Sequence, residues 1–322
     1  MRRTRIITLV ALVALVVSVV TGSIAVLPAG ARIRKAQPPM EVTLLADGLQ
    51  GSVGATIGPD GALYVAEGAL GQITRIDPSN GNATTSATGL PPQVIPLGGA
   101  IDVAFVGATM YVLVTLVGPN VGGNSVVGIY RLNGSGNFTV FADLGTWSIE
   151  HPPLTQFDLA DGVQFALQPV ADGFLVSDGH HNRVLHVSST GEITQRIQFP
   201  NIVPTGLAVT HGTVFLAQAG PIPHVPATGK VVSFPLNPAG PIAHGVASGY
   251  SLLVDVEPGP DGALYALSQG DSPATSPRRA RRRRIAASCY SSTGTVRSPS
   301  WSTSWTCPPR STSWVAPRSS PP

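Results

Sequence analysis

Asp102, Asp161, Thr205 and Asp255 each stand at or next to the start of an apolar phrase, and the phrases resemble one another. They read "IDVAFVGATMYVLVT" from Ile101, "GVQFALQPVADGFLVSDG" from Gly162, "GLAVTHGTVFLAQAG" from Gly206 and "DVEPGPDGALYALSQG" from Asp255. Asp102 and Asp255 share one position of the phrase, and Asp161 lies one earlier. Three carboxylates brought onto a common axis would suit a hard cation such as Ca²⁺, which takes oxygen ligands. The competing role is structural, since a carboxylate at a strand start accepts nearby backbone N–H groups. The balance favours capping. Glu67 ends the second strand of an earlier phrase near the same rim, where it reads either as a general base or as a solvated strand-end carboxylate.

"SDGHHNR" (177–183) raises a metal reading through His180 and His181. Adjacent strand residues point to opposite faces, which disfavours one shared ion. An exposed turn is the expectation. The remaining histidines lack ligand spacing, and no nucleophile elbow, phosphate loop or Cys/His zinc pattern occurs.

These residues need elements to hold them. "GATIGPDGALYVAEG" (54–68) returns as "DVEPGPDGALYALSQG" (255–270), and Gly-Pro-Asp-Gly is turn chemistry between two strand-like runs. An aromatic in each second strand marks the period: Tyr64, Tyr111, Phe174, Phe215 and Tyr265. After most hairpins a third and a fourth short strand follow. Four strands per unit of roughly 40 to 50 residues predict an all-β fold, a β-propeller of four-stranded blades. About four blades and half of a fifth fit in this chain, six in an intact relative. The strand-like run at 40–49 looks like a closing strand without its blade; with the later blades missing it is expected to lack its neighbours and to leave the ring open at a seam, and no helical period follows the N-terminal segment.

The termini differ in kind from this body. Residues 1–31 carry a basic start, an apolar run and an Ala-Gly-Ala site, which read as an export signal or a retained anchor over 6–31. Residues 32–39 read as a linker and 40–271 as the propeller. All seventeen acidic residues lie in the body with only five basic ones, a net charge of −12. That excludes nucleic acid as a natural partner and suits a protein outside the cell. A membrane partner would require the anchor to be kept. No cysteine precedes Cys289, so packing must hold the body. Residues 272–322 have no acidic residue but nine basic ones, and read as a basic Ser/Pro/Arg-rich tail without packing. Three tryptophans there are unusual for disorder, and translation of GC-rich DNA in a shifted frame accounts for the composition.

"PDGALYVAEG", "IDVAF", "TWSIEHPP", "VPTGLAV" and "PDGALYALSQGD" together resemble the secreted ScyD/ScyE family of bacterial propellers. That resemblance covers 40–271 and implies a propeller related to the NHL and SMP-30/gluconolactonase kinds. It carries no catalytic motif with it. It implies a non-enzymatic binding or scaffolding module, for a small molecule or an extracellular protein. The alternative is a metal-dependent lactonase of the SMP-30 type. That alternative needs a Glu, Asn and Asp set around one channel ion, and Val53 and Ile101 stand near two of the corresponding strand starts.

Overall fold

A computed structural model describes residues 43–134, 136–259 and 261–270, with the backbone of 288–292. The signal, the linker and most of the tail lie outside the described residues. Five antiparallel sheets follow one another along the chain. The first holds β1 (Ser52–Ile57), β2 (Leu63–Glu67), β3 (Gln72–Ile76) and β4 (Ala83–Thr88). The second holds β5 (Gly99–Val106), β6 (Thr109–Thr115), β7 (Gly128–Leu132) and β8 (Phe138–Asp143). In the third are β9 (Gln164–Val170), β10 (Gly173–Asp178), β11 (Arg183–Ser188) and β12 (Ile193–Gln198). The fourth comprises β13 (Pro204–Thr210), β14 (Thr213–Gln218), β15 (Lys230–Pro235) and β16 (His244–Ser248). The fifth has three strands, β17 (Leu253–Pro258), β18 (Leu264–Ser268) and β19 (Ser288–Ser292). The first strands β1, β5, β9, β13 and β17 pack side by side in that order. The chain is a β-propeller.

The duplicated phrase has a local cause. At Gly58 and Gly259 an added Cβ would strike the ring of Tyr64 or Tyr265, so each tyrosine lies directly over its glycine. Asp60 and Asp261 accept from the Ala62 and Ala263 amides at 3.2 and 3.0 Å, and from the two tyrosine hydroxyls. Gly61 and Gly262 adopt φ of 78° and 75°, where a side chain is strained. Every residue of Gly-x-Asp-Gly-Ala-Leu-Tyr that the turn needs is thereby fixed.

Apolar layers between consecutive sheets hold the stack together. Tyr64 meets Phe105 edge-on at 4.8 Å between the first two sheets, and Tyr111 meets Phe174 at 4.8 Å between the next two. Leu175, Leu216 and Phe234 fill the third layer, and Ala217, Val231, Leu253 and Ala266 the fourth. In the first four sheets the aromatic marker of the period is therefore a wedge between sheets. A ring of buried polar residues closes the second strands: Glu67, Thr115, Asp178, Gln218 and Ser268.

Three expectations need correction. The segment 43–49 forms no strand and lies against the first sheet, where its Leu45 carbonyl covers Gly81. The seam accords with expectation: among the described residues β17 and β1 do not pack as the other neighbouring first strands do, and Val53 and Ile57 of β1 are 42% and 61% exposed. Residues 288–292, placed in an unpacked tail, pair with β18 as the third strand of the fifth sheet. A seven-residue helix, α1 (Leu144–Glu150), interrupts the all-β pattern after β8. It is too short to show a period, but its start is chemically marked. The Asp143 side chain accepts from the Thr146 amide at 2.8 Å.

Candidate functional site

All five first strands carry a register irregularity near their start, opposite the end of the second strand. Such a bulge kinks the strand and re-aims the side chains beside it. Asp102 and Asp255 follow their bulges directly. Oδ1 of Asp102 accepts from its neighbour Val103 N at 2.8 Å, and Oδ2 accepts from Leu167 N of β9 at 2.8 Å. One carboxyl thus joins two sheets. On its other side stands Gly54 of β1, where a Cβ would collide with Oδ1. Asp255 repeats half of this arrangement: Oδ1 accepts from Val256 N at 2.9 Å and lies over Gly206 of β13.

Burial pushes Asp102 up to about 7 against the pull of its two backbone hydrogen bonds, and Asp255 and Glu257 add to the rise. Burial also raises Asp255, opposed by the Val256 amide. Glu257, two residues along the same strand face, is raised by burial and by Asp255, but it is exposed, so solvent screens the effect. The arrangement is an acidic patch on the inner strands, with one carboxyl fixed by the backbone and poised to change charge near neutrality.

The other candidates fall elsewhere. The Thr205 hydroxyl is buried and faces two acceptors, Ala217 O at 3.1 Å and Leu253 O at 2.8 Å, so it ties the fourth sheet to the fifth. Glu67 is buried, not solvated. Burial works to raise its carboxyl, but hydrogen bonds from Thr74, the Gln50 amide and Gln72 outweigh that and hold it below the usual range. It braces the chain entering β1. Asp161 is buried among loops of the second sheet, beside Gly118 and Gly145. Among the described residues no three His, Cys, Asp or Glu side chains stand close enough to share a metal ion, so Asp102, Asp161 and Asp255 are not one site.

"SDGHHNR" is the largest departure from expectation. His181, Asn182 and Arg183 are 0%, 2% and 1% exposed, so this turn is interior. Asp178 accepts from the Val163 and His181 amides at 3.1 and 3.2 Å and faces Arg183 Nε at 3.4 Å. Arg183 also donates to the His151 carbonyl at 2.7 Å and to Ser148 at 3.0 Å, and lies over the Trp147 ring. α1 and the segment after it thereby dock on the third sheet through one guanidinium.

The two histidines grip the segment leading to β9. His181 Nε2 donates to Leu159 O at 2.8 Å. His180 Nε2 accepts from the Asp158 and Leu159 amides at 2.8 and 3.1 Å, so that nitrogen carries no proton. Burial and the neighbouring His181 lower His180, opposed by Asp178, Asp158 and Asp161. The grip therefore contributes fully above the ordinary histidine range, about 6.5, and is lost as pH falls through the lowered value. Amide protection at Asp158 and Leu159 should drop in acid, and at every pH in His180→Ala. Protection that ignores both changes would show that the segment is held by other contacts.

Solved structures with similar shapes fit this geometry. A gluconolactonase from Xanthomonas campestris superposes with a TM-score of 0.50 at 14% identity, over 71% of this chain and 72% of that one. The likeness is one of fold. Virginiamycin B lyase from Staphylococcus aureus gives a TM-score of 0.45 at 11% identity over 70% of this chain, which spans 64% of the lyase. A chain of a nidogen/laminin complex gives 0.47 at 14% identity, over 65% of this chain and 70% of that one. Neither a protein-family model nor a curated protein matches the sequence.

Sequence reasoning missed Glu257 and the Asp178–His181–Arg183 cluster. Glu257 carried a readable signal, since a strand's period of two puts it on the face of Asp255. Arg183 carried only a weak one: it is one of five basic residues in an acidic body.

Proposed function

We propose that this chain is an exported, non-enzymatic binding propeller whose inner-strand carboxyls, Asp102 foremost, receive the ligand. The observation that carries this reading is the fixing of the Asp102 carboxyl by amides of two different sheets, within electrostatic reach of Asp255 and Glu257. A carboxyl so held has lost its rotational freedom before a ligand arrives, which lowers the cost of binding. Its chemistry selects a ligand with cationic or strongly hydrogen-bond-donating groups, either a small molecule or a side chain of an extracellular protein. The acidic body repels phosphate backbones. The phrases resembling the ScyD/ScyE family accord with a binding role.

The lactonase alternative asks for oxygen or nitrogen donors at other inner-strand starts. Val53 and Ile101 supply none. Glucono-lactone hydrolysis measured with Ca²⁺, Mg²⁺ or Zn²⁺ present separates the two readings. The expected rate is the spontaneous one, the same for the wild type and Asp102→Asn. A faster rate that Asp102→Asn abolishes would establish an enzyme instead.

A further inference from the structure

In every sheet the first strand starts where the second ends, and the connectors to the third strand and to the next sheet lie at that same end. Asp102 of β5 touches Gly54 of β1 and Leu167 of β9, and Asp255 of β17 lies over Gly206 of β13. The starts therefore share one rim, with Asp102 and Asp255 just inside it.

The two rims differ in kind. Among the described residues the four longest connectors, 89–98, 116–127, 144–163 and 219–229, all belong to the rim of the strand starts. Its described connectors hold no Lys or Arg, and Glu150, Asp158 and Asp161 are their only acids. They expose Leu154 (96%), Ile222 (82%) and Leu97 (64%), together with Ile149, Leu70 and Val94. The opposite rim consists of shorter turns that carry Asp60, Asp77, Asp172, Glu192 and Asp261, and Ile242 is the one large exposed aliphatic on those described turns. A repeat fold that lengthens its loops on one face commonly binds there, and exposed aliphatics gathered at one end mark an interaction surface.

The structure beneath holds these side chains out. Leu97 has a φ of 72°, a strained conformation for a branched residue, in a turn closed by the Gly98 amide on Ile95 O at 3.0 Å. Strained and exposed, it adds nothing to this chain's own core. Ile222 sits in a turn closed by the His224 amide on Pro221 O at 2.7 Å. Leu154 lies between His151, whose carbonyl takes Arg183, and Leu159, which both histidines grip. Side chains ordered in advance cost less to dock.

We infer that this rim docks an extended segment of a partner protein in which aliphatic side chains flank one lysine or arginine, with the cation over Asp102 and Asp255. This rests on the carboxyl site proposed above and narrows its ligand to a polypeptide. A small cation would fill the mouth and leave the aliphatics in water. A bilayer would suit the aliphatics, but its anionic headgroups find no basic residue on the described connectors and an acidic body behind them.

The test is fluorescence anisotropy of the full chain at pH 8.5 with three labelled peptides: Leu-Val-Arg-Val-Leu, Ser-Ser-Arg-Ser-Ser and Leu-Val-Gln-Val-Leu. The first should bind about tenfold or more tightly than either of the others. The triple variant Leu97→Ser, Leu154→Ser, Ile222→Ser changes only exposed positions, and should lose the preference for the first peptide over the serine one. Equal affinity for those two peptides in the wild type, a preference that the variant keeps, or no binding of the first peptide would overturn the docking surface. Binding of the serine peptide would then still leave the carboxyl site standing. Equal affinity for the arginine and glutamine peptides would instead overturn the carboxyl reading itself. Vesicles of phosphatidylcholine and phosphatidylglycerol that bind the wild type but not the variant, with no peptide preference, would assign the rim to a lipid surface and overturn the inference.

Discussion

Arg183→Ala is expected to destabilise the folded chain by about 3–5 kcal/mol, the range for breaking a buried ion pair by removing one partner. The guanidinium is 1% exposed and serves Asp178, Ser148, His181 Nδ1 and the His151 carbonyl, so its loss takes a donor from four acceptors. Asp178 is the group most affected. Burial works to raise its carboxyl, and His181, Arg183 and the Val163 amide together hold it below the usual range. Without Arg183 that balance shifts towards a neutral carboxyl, so the variant should lose less stability than the wild type as pH falls through the carboxylate range, and its deficit should be largest near neutral pH. Denaturant melts of the two chains give the difference directly. A loss under about 1 kcal/mol would place this cluster with ordinary surface ion pairs, and would mean that α1 docks without it.

Asp102 should make the propeller less stable as pH rises. Its folded value of about 7 lies above the ordinary carboxyl value of 3.8. Between those limits the folded chain holds a proton that the unfolded chain has released. Stability from this group is complete below about 4 and is lost as pH rises through 7, a span worth about 4 kcal/mol. Asp102→Asn removes the titration but leaves one carbonyl oxygen for two amides, at a cost of about 1 kcal/mol. The variant should therefore be the less stable chain at pH 4 and the more stable one at pH 8. Comparing variant with wild type at each pH cancels the other titrating groups. Parallel pH profiles would show that Asp102 is solvated and ionised throughout.

The blades were legible because each repeat states its own turn and wedge. Gly58, Asp60, Gly61 and Tyr64 mark a hairpin by chemistry that acts within seven residues, and the same set at Gly259, Asp261, Gly262 and Tyr265 marks another. The inner-strand starts were found by counting from these marks, and Asp102 and Asp255 came with them. Roles that depend on a second sheet were not legible. Thr205 reads like its neighbours until Leu253 O of the next sheet takes its hydroxyl. Glu67 reads as solvated until the chain at Gln50 folds over it. His181 and Arg183 sit in Gly/Asn-rich turn chemistry, and only α1 and the long segment after it bury them. Asp161 was misplaced for a similar reason, since loop residues separate it from the strand that the count followed. The seam between β17 and β1 was legible in the break of the repeat after the fifth hairpin, but the pairing of 288–292 with β18 was not, because no local phrase encodes it.

The central claim is that the inner-strand carboxyls bind a ligand through charge that appears near neutrality. Calorimetric titration of the full chain with spermidine, a flexible polycation, at pH 5.5 and pH 8.5 tests it most directly. Asp102 is mostly protonated at the lower pH and ionised at the higher, given its value of about 7. The account predicts saturable binding at pH 8.5 that weakens by about tenfold or more at pH 5.5, and that is correspondingly weak at both in Asp102→Asn. Equal affinity at the two pH values, or binding that Asp102→Asn leaves intact, would contradict it and place any ligand site elsewhere on the propeller.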